Sequence, residues 1–167
     1  SKFLYENDIL YCDYKPENVC IDKNAEPILI DFDHSQFRKK LKKTPHGTHV
    51  YMSPELLNLT EPNSIKSDIW SIGCLFIETC FGRLPWGSFS KRDNILESIK
   101  DFKFIKLFDN YKNDDIKKNK YLKENCTNFF NNILCIEPNK RNNFEEIFNH
   151  KYFNNIVSNN LVHNYNR

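Results

Sequence analysis

The longest apolar segment of the chain runs from Ser67 to Phe81 and carries apolar side chains on nearly every side of a helix. A helix of this kind is buried all round rather than on one face. Gly82 follows directly, and glycine commonly ends helices because it adopts the left-handed backbone conformation at little cost. The pattern therefore predicts a central buried helix that ends at Gly82.

Three later segments place their apolar residues on one helical face, which is typical of helices that pack against a core. They run from Lys91 to Lys100, from Leu122 to Ile136 and from Asn142 to Asn149. A short helix is predicted from Ser53 to Leu59, because Pro54 suits the first turn of a helix. The apolar positions of the three faces are Ile95, Leu96 and Ile99, then Phe129, Phe130, Ile133 and Leu134, and finally Phe144, Ile147 and Phe148.

Two short apolar runs, Val19 to Ile21 and Pro27 to Ile30, predict strands. The polar segment between them, which begins at Asp22, has the composition of a turn. A hairpin of this kind would bring Asp31 back beside Asn18. The fold class expected from these patterns is mainly α, with a few short β-strands.

Length and charge limit the classes of function that the chain can have. A chain of 167 residues is one domain by length, and it can bury roughly two-thirds of its unfolded surface. A net charge of +2 with 28% charged residues gives no argument for nucleic acid or a membrane surface as a partner. The longest apolar run is too short to cross a bilayer, and the first residues lack a signal-peptide pattern. We therefore expect an intracellular protein of the cytoplasm or nucleus.

Six cysteines occur without a Cys-x-x-Cys pair and without a nearby His at metal-ligand spacing. This argues against a structural zinc site. The cysteines are therefore expected to be reduced and mostly buried. They are Cys12, Cys20, Cys74, Cys80, Cys126 and Cys135.

Polar residues that suit phosphoryl transfer surround the predicted hairpin. Asp13, Lys15 and Asn18 precede it, and Asp31 follows it. Phosphoryl transfer needs a carboxylate to orient a hydroxyl, a cation for the moving phosphate, and oxygen ligands for magnesium. Asp, Lys and Asn around a Pro are also ordinary turn chemistry, and Asp31 could cap a strand end. The residue types alone leave both interpretations open.

Five motifs follow one another in an order that resembles a known family. Tyr11 to Asn18 is similar to the catalytic loop of the eukaryotic protein kinase family, and Asp31-Phe32-Asp33 to its magnesium-binding triplet. Gly47 to Glu55 resembles the end of the activation segment, and Asp68 to Gly73 the start of a central buried helix. Arg141 falls where the family has a late structural Arg. The resemblance implies the helical C-terminal lobe of the kinase fold.

The resemblance implies catalytic roles for three residues. Asp13 would orient the substrate hydroxyl and accept its proton, because this reaction gains more from positioning than from strong base catalysis. Lys15 would neutralise the moving phosphate, and its place two residues after Asp13 is the form found in Ser/Thr kinases. Thr48 would form a hydrogen bond near both.

The same resemblance implies ATP and Mg2+ as cofactors. Asn18 and Asp31 would hold the metal through hard oxygen ligands, and Lys15 would contact the ATP phosphates. Cys20 stands where the family has an apolar residue beneath adenine.

Three further residues are expected to be structural. Glu55 and Arg141 form a buried ion pair in the family, and removing one partner of such a pair costs about 3 to 5 kcal/mol. Asp68 would accept backbone N–H bonds from the catalytic loop. It also lies in a first helical turn, where the helix dipole favours a carboxylate.

Three residues depart from the family pattern, and the first is Tyr11, which stands in place of His. Cys12 replaces the Arg that binds a phosphorylated activation loop in most kinases, and a thiol cannot make a bidentate phosphate contact. Thr44 is the candidate phosphorylation site, and its phosphate would meet only flexible Lys neighbours or Arg38. Asp33 replaces the Gly of the magnesium triplet, which adds a carboxylate and removes backbone freedom.

The resemblance assigns residues 1–153 to the C-terminal lobe of a kinase domain and residues 154–167 to an Asn-rich tail. The chain has four glycines and no G-x-G-x-x-G motif, so the loop that covers the phosphates is expected in an N-terminal lobe outside this chain. The lobe alone is expected to be inactive. Its cleft face around Tyr11, Cys20 and Phe32 would be exposed to the missing lobe or another partner.

Two classes of function follow from these expectations. The first is ATP-dependent phosphorylation of Ser or Thr on protein substrates, because Asp13, Lys15, Asn18 and Asp31 are all retained. The alternative is a catalytically impaired, pseudokinase-like scaffold or protein-binding module, which Cys12 and the missing lobe would suit. A purely structural helical domain is a third interpretation.

Overall fold

The computed structural model describes residues 1–42, 45–84, 86–87, 91–100 and 120–151. Helices dominate these residues, with a few short strands, as the sequence predicted. The helices are α1 (Lys2–Glu6), α2 (Pro54–Leu57), α3 (Ile65–Phe81), α4 (Arg92–Lys100), α5 (Lys120–Ile133) and α6 (Phe144–Phe148). The strands are β1 (Ile9–Leu10), β2 (Val19–Ile21), β3 (Pro27–Leu29) and β4 (Gln36–Phe37). Single 3-10 turns cover Pro16–Asn18, Arg38–Lys40, His49–Tyr51 and Pro138–Lys140.

Helix α3 is the predicted central helix and begins at Ile65, two residues earlier than expected. A capping box with Ser64 and Ser67 starts it, since each side chain bonds to the backbone N–H of the other. Gly82 ends the helix with φ of 72° and donates its N–H to Glu78 O at 2.7 Å. Residues 67–74 are buried all round, whereas the last two turns expose Phe76. The prediction of complete burial is therefore wrong for the C-terminal end.

Helices α3 and α5 approach closely at Gly73. A Cβ atom at this position would lie 2.5 Å from Cγ2 of Ile133 and 2.9 Å from Cδ2 of Leu134. Only glycine lets the two helices pack at this distance. Phe129 and Phe130 of α5 are fully buried in the same core.

The predicted hairpin is formed by β2 and β3. Val19 pairs with Leu29 and Ile21 with Pro27 in an antiparallel ladder. Asp22 shapes the turn, because its carboxylate accepts the N–H groups of Asn24 and Glu26, both at 2.8 Å. The N–H of Ile30 then donates to Asn18 O at 3.0 Å, so the chain returns beside Asn18 as predicted.

A second pair of strands, β1 and β4, was not predicted. Leu10 pairs with Gln36 and Ile9 with Phe37, again antiparallel. This pairing ties the residues just before Tyr11 to the chain that follows Asp33.

The remaining predicted helices are present with shorter bounds. The predicted helix from Ser53 to Leu59 is confined to α2. Helix α4 buries Ile95 and Ile99, while Leu96 is only half-buried. Helix α6 starts at a capping box between Asn143 and Glu146. Its predicted apolar residue Phe148 is 40% exposed.

No disulfide joins any of the six cysteines, all of which the structure describes, but the prediction that they are mostly buried is wrong. Cys12, Cys74 and Cys126 are buried, whereas Cys20 and Cys80 are exposed and Cys135 is half-buried. Across the described residues, no helix has the length and apolar character needed to cross a membrane.

Candidate active site

The loop at residues 11–13 is anchored to the start of the central helix. Asp68, in the first turn of α3, accepts the N–H of Tyr11 at 2.8 Å and that of Cys12 at 3.0 Å. Burial raises the pKa of Asp68 to about 7, while the two backbone hydrogen bonds act in the opposite direction. Cys12 has φ of 69°, so this peptide is held in a backbone conformation that side chains disfavour. Asp68 thus fixes the backbone of the two residues that directly precede Asp13.

The carboxylate of Asp13 is buried and accepts hydrogen bonds from four donors. Thr48 supplies its N–H and its Oγ1 hydroxyl to Oδ1, both at 2.8 Å. Lys15 Nζ lies 2.7 Å from Oδ2, and Asn18 Nδ2 donates to the same oxygen at 3.0 Å. Burial by itself raises the pKa of Asp13, but the bonds from Lys15 and Thr48 outweigh it and leave the pKa below its usual value. Asp13 is therefore held ionised in one orientation.

Lys15 contacts both Asp13 and Thr48. Its Nζ donates to Thr48 Oγ1 at 3.0 Å in addition to its contact with Asp13. The Lys15 side chain is 21% exposed, so its ammonium group lies at the edge of the buried cluster and remains accessible from solvent. An anion that approaches Asp13 would meet this cation first.

Gly47 allows the close approach of Thr48 to the loop. A Cβ atom on Gly47 would lie 2.3 Å from the carbonyl oxygen of Cys12, and the φ of Gly47 is 123°. Both features exclude a larger residue. Gly47 and Thr48 thereby lie directly against Cys12 and Asp13.

The backbones of the two residues proposed for a metal, Asn18 and Asp31, lie close together at the end of the hairpin. Asn18 is buried, and because its Nδ2 donates to both O and Oδ2 of Asp13, its amide oxygen points away from Asp13. Asp31 is exposed, with φ of 57°, and follows the residue whose N–H bonds to Asn18 O. Within the described residues, no three His, Cys, Asp or Glu side chains come together as a metal site. One amide and one carboxylate oxygen suit Mg2+, which takes its other ligands from water and phosphate oxygens.

Asp33 does not strain the backbone of the triplet. Its φ is not among the positive values of the described residues, and its N–H donates to Asp31 Oδ1 at 3.3 Å. The presence of Asp33 in place of the family glycine therefore adds no positive φ at this position.

The face around Cys20 is exposed and partly apolar, but Tyr11 does not belong to it. Tyr11 is fully buried, against the expectation from the sequence. Its ring lies 4.7 Å from that of Tyr14 and 5.2 Å from that of Phe32, and its hydroxyl donates to Ile30 O. Phe32 is 49% exposed and covers Tyr11 from solvent.

Glu55 and Arg141 form a buried bidentate ion pair. The guanidinium donates to Oε1 and Oε2 of Glu55 at 2.9 and 3.1 Å, with both side chains almost inaccessible. Arg141 also donates to the carbonyls of Cys135 at 3.0 Å and Lys66 at 2.5 Å, and it lies 5.0 Å from the ring of Trp70. Every polar direction of the guanidinium is thus used. The pair joins α2 to the chain after α5.

Two buried polar residues near the loop were missed by the sequence reasoning. Gln36 lies on β4 and contacts Cys12. The side chain of Asn63 accepts the backbone N–H of His46 at 2.9 Å and donates to the His46 carbonyl at 3.0 Å. Gln36 is the single glutamine of the chain, yet it lies in a polar, basic stretch typical of a solvated loop. No periodicity marks either residue. Thr44, the candidate phosphorylation site, lies outside the described residues.

Comparison with known proteins decides the family. The profile of the protein kinase domain matches residues 2–153. This chain belongs to the eukaryotic protein kinase family. The resemblance of the five motifs is thereby confirmed, and kinases of this family use ATP and Mg2+ to phosphorylate proteins.

Curated kinases resemble the chain at similar levels. It is 31% identical to Developmentally-regulated protein kinase 1 of Dictyostelium discoideum, over 93% of this chain and 21% of that protein. It is 31% identical to Serine/threonine-protein kinase atg1 of the same organism, over 92% of this chain and 22% of that kinase. It is 30% identical to cAMP-dependent protein kinase type 3 of Saccharomyces cerevisiae, over 98% of this chain and 39% of that kinase. The chain spans about a fifth of the length of the two Dictyostelium kinases.

Proposed function

We propose that this kinase chain transfers the γ-phosphoryl group of ATP to Ser or Thr of protein substrates, as the C-terminal lobe of a complete kinase domain. The observation that supports this most strongly is the buried Asp13 carboxylate, which Thr48, Lys15 and Asn18 hold at 2.7 to 3.0 Å. An ionised carboxylate beside an accessible ammonium group provides a proton acceptor and a phosphate contact within one cluster.

Asp13 and Lys15 divide the work of the transfer between them. The substrate hydroxyl oxygen forms a bond to the γ-phosphorus as the bond to the ADP oxygen breaks, and the hydroxyl proton passes to the Asp13 carboxylate. Lys15 Nζ neutralises the charge on the moving phosphoryl group. Thr48 fixes the direction of both groups through its hydroxyl.

Asn18 and Asp31 would hold Mg2+, which neutralises charge on the ATP phosphates when it is bound. Cys20, on the exposed face of β2, would lie beneath the adenine. A short thiol side chain leaves room there for a flat ring.

Specificity for Ser and Thr is inferred from the pair formed by Lys15 and Thr48. The 3.0 Å bond between Nζ and Oγ1 places the cation close to Asp13. This arrangement favours a short aliphatic hydroxyl, which must come close to Asp13 to be activated.

The assignment to a C-terminal lobe, residues 1–153, is supported by an apolar face on the hairpin. Cys20 and Ile28 pair across the two strands and so share one face, where both are exposed, Ile28 to 48%. Phe32, which follows the hairpin, is 49% exposed. Exposed apolar patches of this kind mark interaction sites. A second lobe that covers this face would enclose ATP between the two.

The full-length protein with Asp13→Asn tests the proposal. We expect kcat to fall by at least about a hundredfold, because general base and orientation effects of this size are typical, while KM for ATP changes little. Asp93→Asn, an exposed residue in the first turn of α4, is the matched control and should keep wild-type turnover.

Undiminished turnover in Asp13→Asn would remove Asp13 from the mechanism. A folded wild-type protein that binds a protein partner but transfers no phosphate would instead favour the pseudokinase-like scaffold, to which the substitutions at Cys12 and Asp33 also point.

A further inference from the structure

Gln36 is a buried amide whose two ends contact different parts of the chain. Its side chain lies on β4, and the residue is 6% exposed. Oε1 accepts the N–H of Lys42 at 2.7 Å, and Nε2 lies 3.7 Å from Sγ of Cys12. Because a backbone N–H can only donate, the amide oxygen must face Lys42, and the amide nitrogen must therefore face Cys12. The orientation of the side chain is fixed by this chemistry.

Gln36 and Cys12 are both held in place by further backbone contacts. The strand pairing of Leu10 with Gln36 fixes the backbone of Gln36 directly beside the catalytic loop. The N–H of Cys12 is bound to Asp68, and its carbonyl is covered by Gly47. Burial raises the pKa of the Cys12 thiol, with the Asp68 charge adding to the effect, so the thiol is neutral. The contact therefore links β4 to the catalytic loop without any charge.

The catalytic loop is thus enclosed by both ends of one segment. Gln36 contacts Cys12 near the start of residues 31–55, and Gly47 and Thr48 contact Cys12 and Asp13 near its end. Lys42, which Gln36 also holds, lies between the two. Cys12, which Gln36 contacts, is directly followed by Asp13, so a shift of Cys12 would move the carboxylate to which Thr48 donates.

We infer that Gln36 is a positioning residue, which anchors the activation segment to the catalytic loop through neutral hydrogen bonds and so maintains the contact of Thr48 with Asp13. The inference rests on the proposed function for its effect on catalysis, but the anchoring itself is a property of the fold. Two other contacts accompany it, from Ser35 Oγ to Tyr11 O at 3.3 Å and from Arg38 to Asp8 at 2.6 Å. Gln36 differs from both because it is buried and contacts the loop and the segment together.

Gln36→Met in the full-length protein tests this role. Methionine keeps the length of the side chain but removes both hydrogen bonds, which leaves the N–H of Lys42 unpaired. Residue-resolved hydrogen exchange should become about tenfold faster at the amides of Lys42 and Thr48, since a lost partner of a buried N–H shifts a local equilibrium by about that factor. We also expect kcat to fall at least about threefold, with KM for ATP unchanged.

Ile147→Val, in α6, is the control for loss of global stability, because shortening this buried side chain is mildly destabilising. Exchange at Lys42 and Thr48 and turnover should stay at wild-type values in this variant. The inference is overturned if Gln36→Met leaves both amides as protected as in the wild type, or if Ile147→Val lowers kcat equally. A wild-type protein without phosphotransfer would refute the proposed function, while the exchange at Thr48 would still decide the positioning role.

Discussion

At the scale of single residues, the site depends on how Thr48 controls the ionisation of Asp13. Both the N–H and the hydroxyl of Thr48 donate to Oδ1, and together with Lys15 they offset the cost of burying the carboxylate. A group with a lowered pKa in the folded state stabilises the protein above its unfolded pKa, and this contribution is lost as the pH falls through the folded value. Asp13 is therefore ionised at neutral pH, where its ionised form stabilises the fold.

Thr48→Val removes the hydroxyl donor but keeps the branched shape and the backbone N–H. We expect the pKa of Asp13 to rise, so the acid limb of the kcat profile of the full-length protein should move to higher pH. Thr48→Ser keeps a hydroxyl and should leave the limb in place. Titration of the labelled Asp13 carboxyl by NMR gives the pKa directly, and equal values in the Val and Ser variants would exclude the hydroxyl as the cause.

Thr44→Ala should change the activity of the full-length protein little. The thiol of Cys12 cannot bind a phosphate bidentately, and Arg38, which precedes Thr44 in the same basic stretch, is already paired with Asp8 at 2.6 Å. Steady-state turnover of the folded variant measures this. A large loss would show that another cation binds the phosphate, and Arg38 would be the first residue to test.

Residue types and motif order could predict Asp13, Lys15, Thr48 and Asn18 as one cluster, because the chemistry needs those groups together. They could not predict Gln36, since its contacts depend on a strand pairing between distant parts of the chain. They also predicted that Tyr11 lies on the exposed cleft face, whereas it is buried. Its ring is buried because its aromatic neighbours enclose it, which no local pattern reveals.

At the scale of elements, the buried ion pair between Glu55 and Arg141 ties α2 to the chain beyond α5. Glu55→Gln should lower the free energy of unfolding by about 3 to 5 kcal/mol, because it leaves the guanidinium buried without a counter-charge. Glu137→Gln makes the same chemical change in the exposed pair with Lys140 and should have little effect. Denaturant unfolding of the two variants compares them, and equal stabilities would mean that the buried pair contributes no more than the surface pair.

The contact between α3 and α5 gives a second prediction at this scale. Gly73→Ala should destabilise the fold by about 1 to 3 kcal/mol through overpacking against Ile133, although alanine favours helices. Combining it with Ile133→Ala should cost less than the sum of the single changes, because the second change removes the clash. Thermal or denaturant unfolding of the double-mutant cycle tests this, and additive costs would show that the helices do not collide at Gly73.

The elements themselves were predictable to different degrees. Apolar periodicity predicted α3, α4 and α6, because burial on one side or all round leaves a regular trace in the sequence. The β2–β3 hairpin followed from its turn residues. The β1–β4 pair could not be predicted, because two-residue strands carry no alternation and their pairing is non-local. Helix ends were misjudged wherever an apolar residue such as Phe148 continued the pattern beyond the core.

At the scale of the whole molecule, this chain would supply one side of an ATP site and another lobe would add the other. The chain supplies Asp13, Lys15, Thr48 and the two proposed metal ligands, Asn18 and Asp31. The exposed face of the hairpin lies beside these ligands, so ATP bound there would be covered on one side only. Charges exposed to water attract each other weakly, which reduces the affinity for a metal–nucleotide complex.

The chain of residues 1–167 alone should therefore bind Mg-ATP poorly and show no measurable phosphotransfer. Calorimetric titration with Mg-ATP and an assay on a generic basic peptide measure the two properties. Binding in the micromolar range together with turnover would overturn the requirement for an N-terminal lobe and would make this chain the functional unit.

The most direct test of the central claim is phosphosite mapping by mass spectrometry after the full-length protein has reacted with Mg-ATP and a protein substrate. The account predicts phosphate on Ser and Thr of the substrate, and its loss in Asp13→Asn but not in Asp93→Asn. Phosphate confined to Tyr would contradict the proposed specificity, and the same Ser and Thr sites in Asp13→Asn at wild-type levels would contradict the role of the Asp13 cluster.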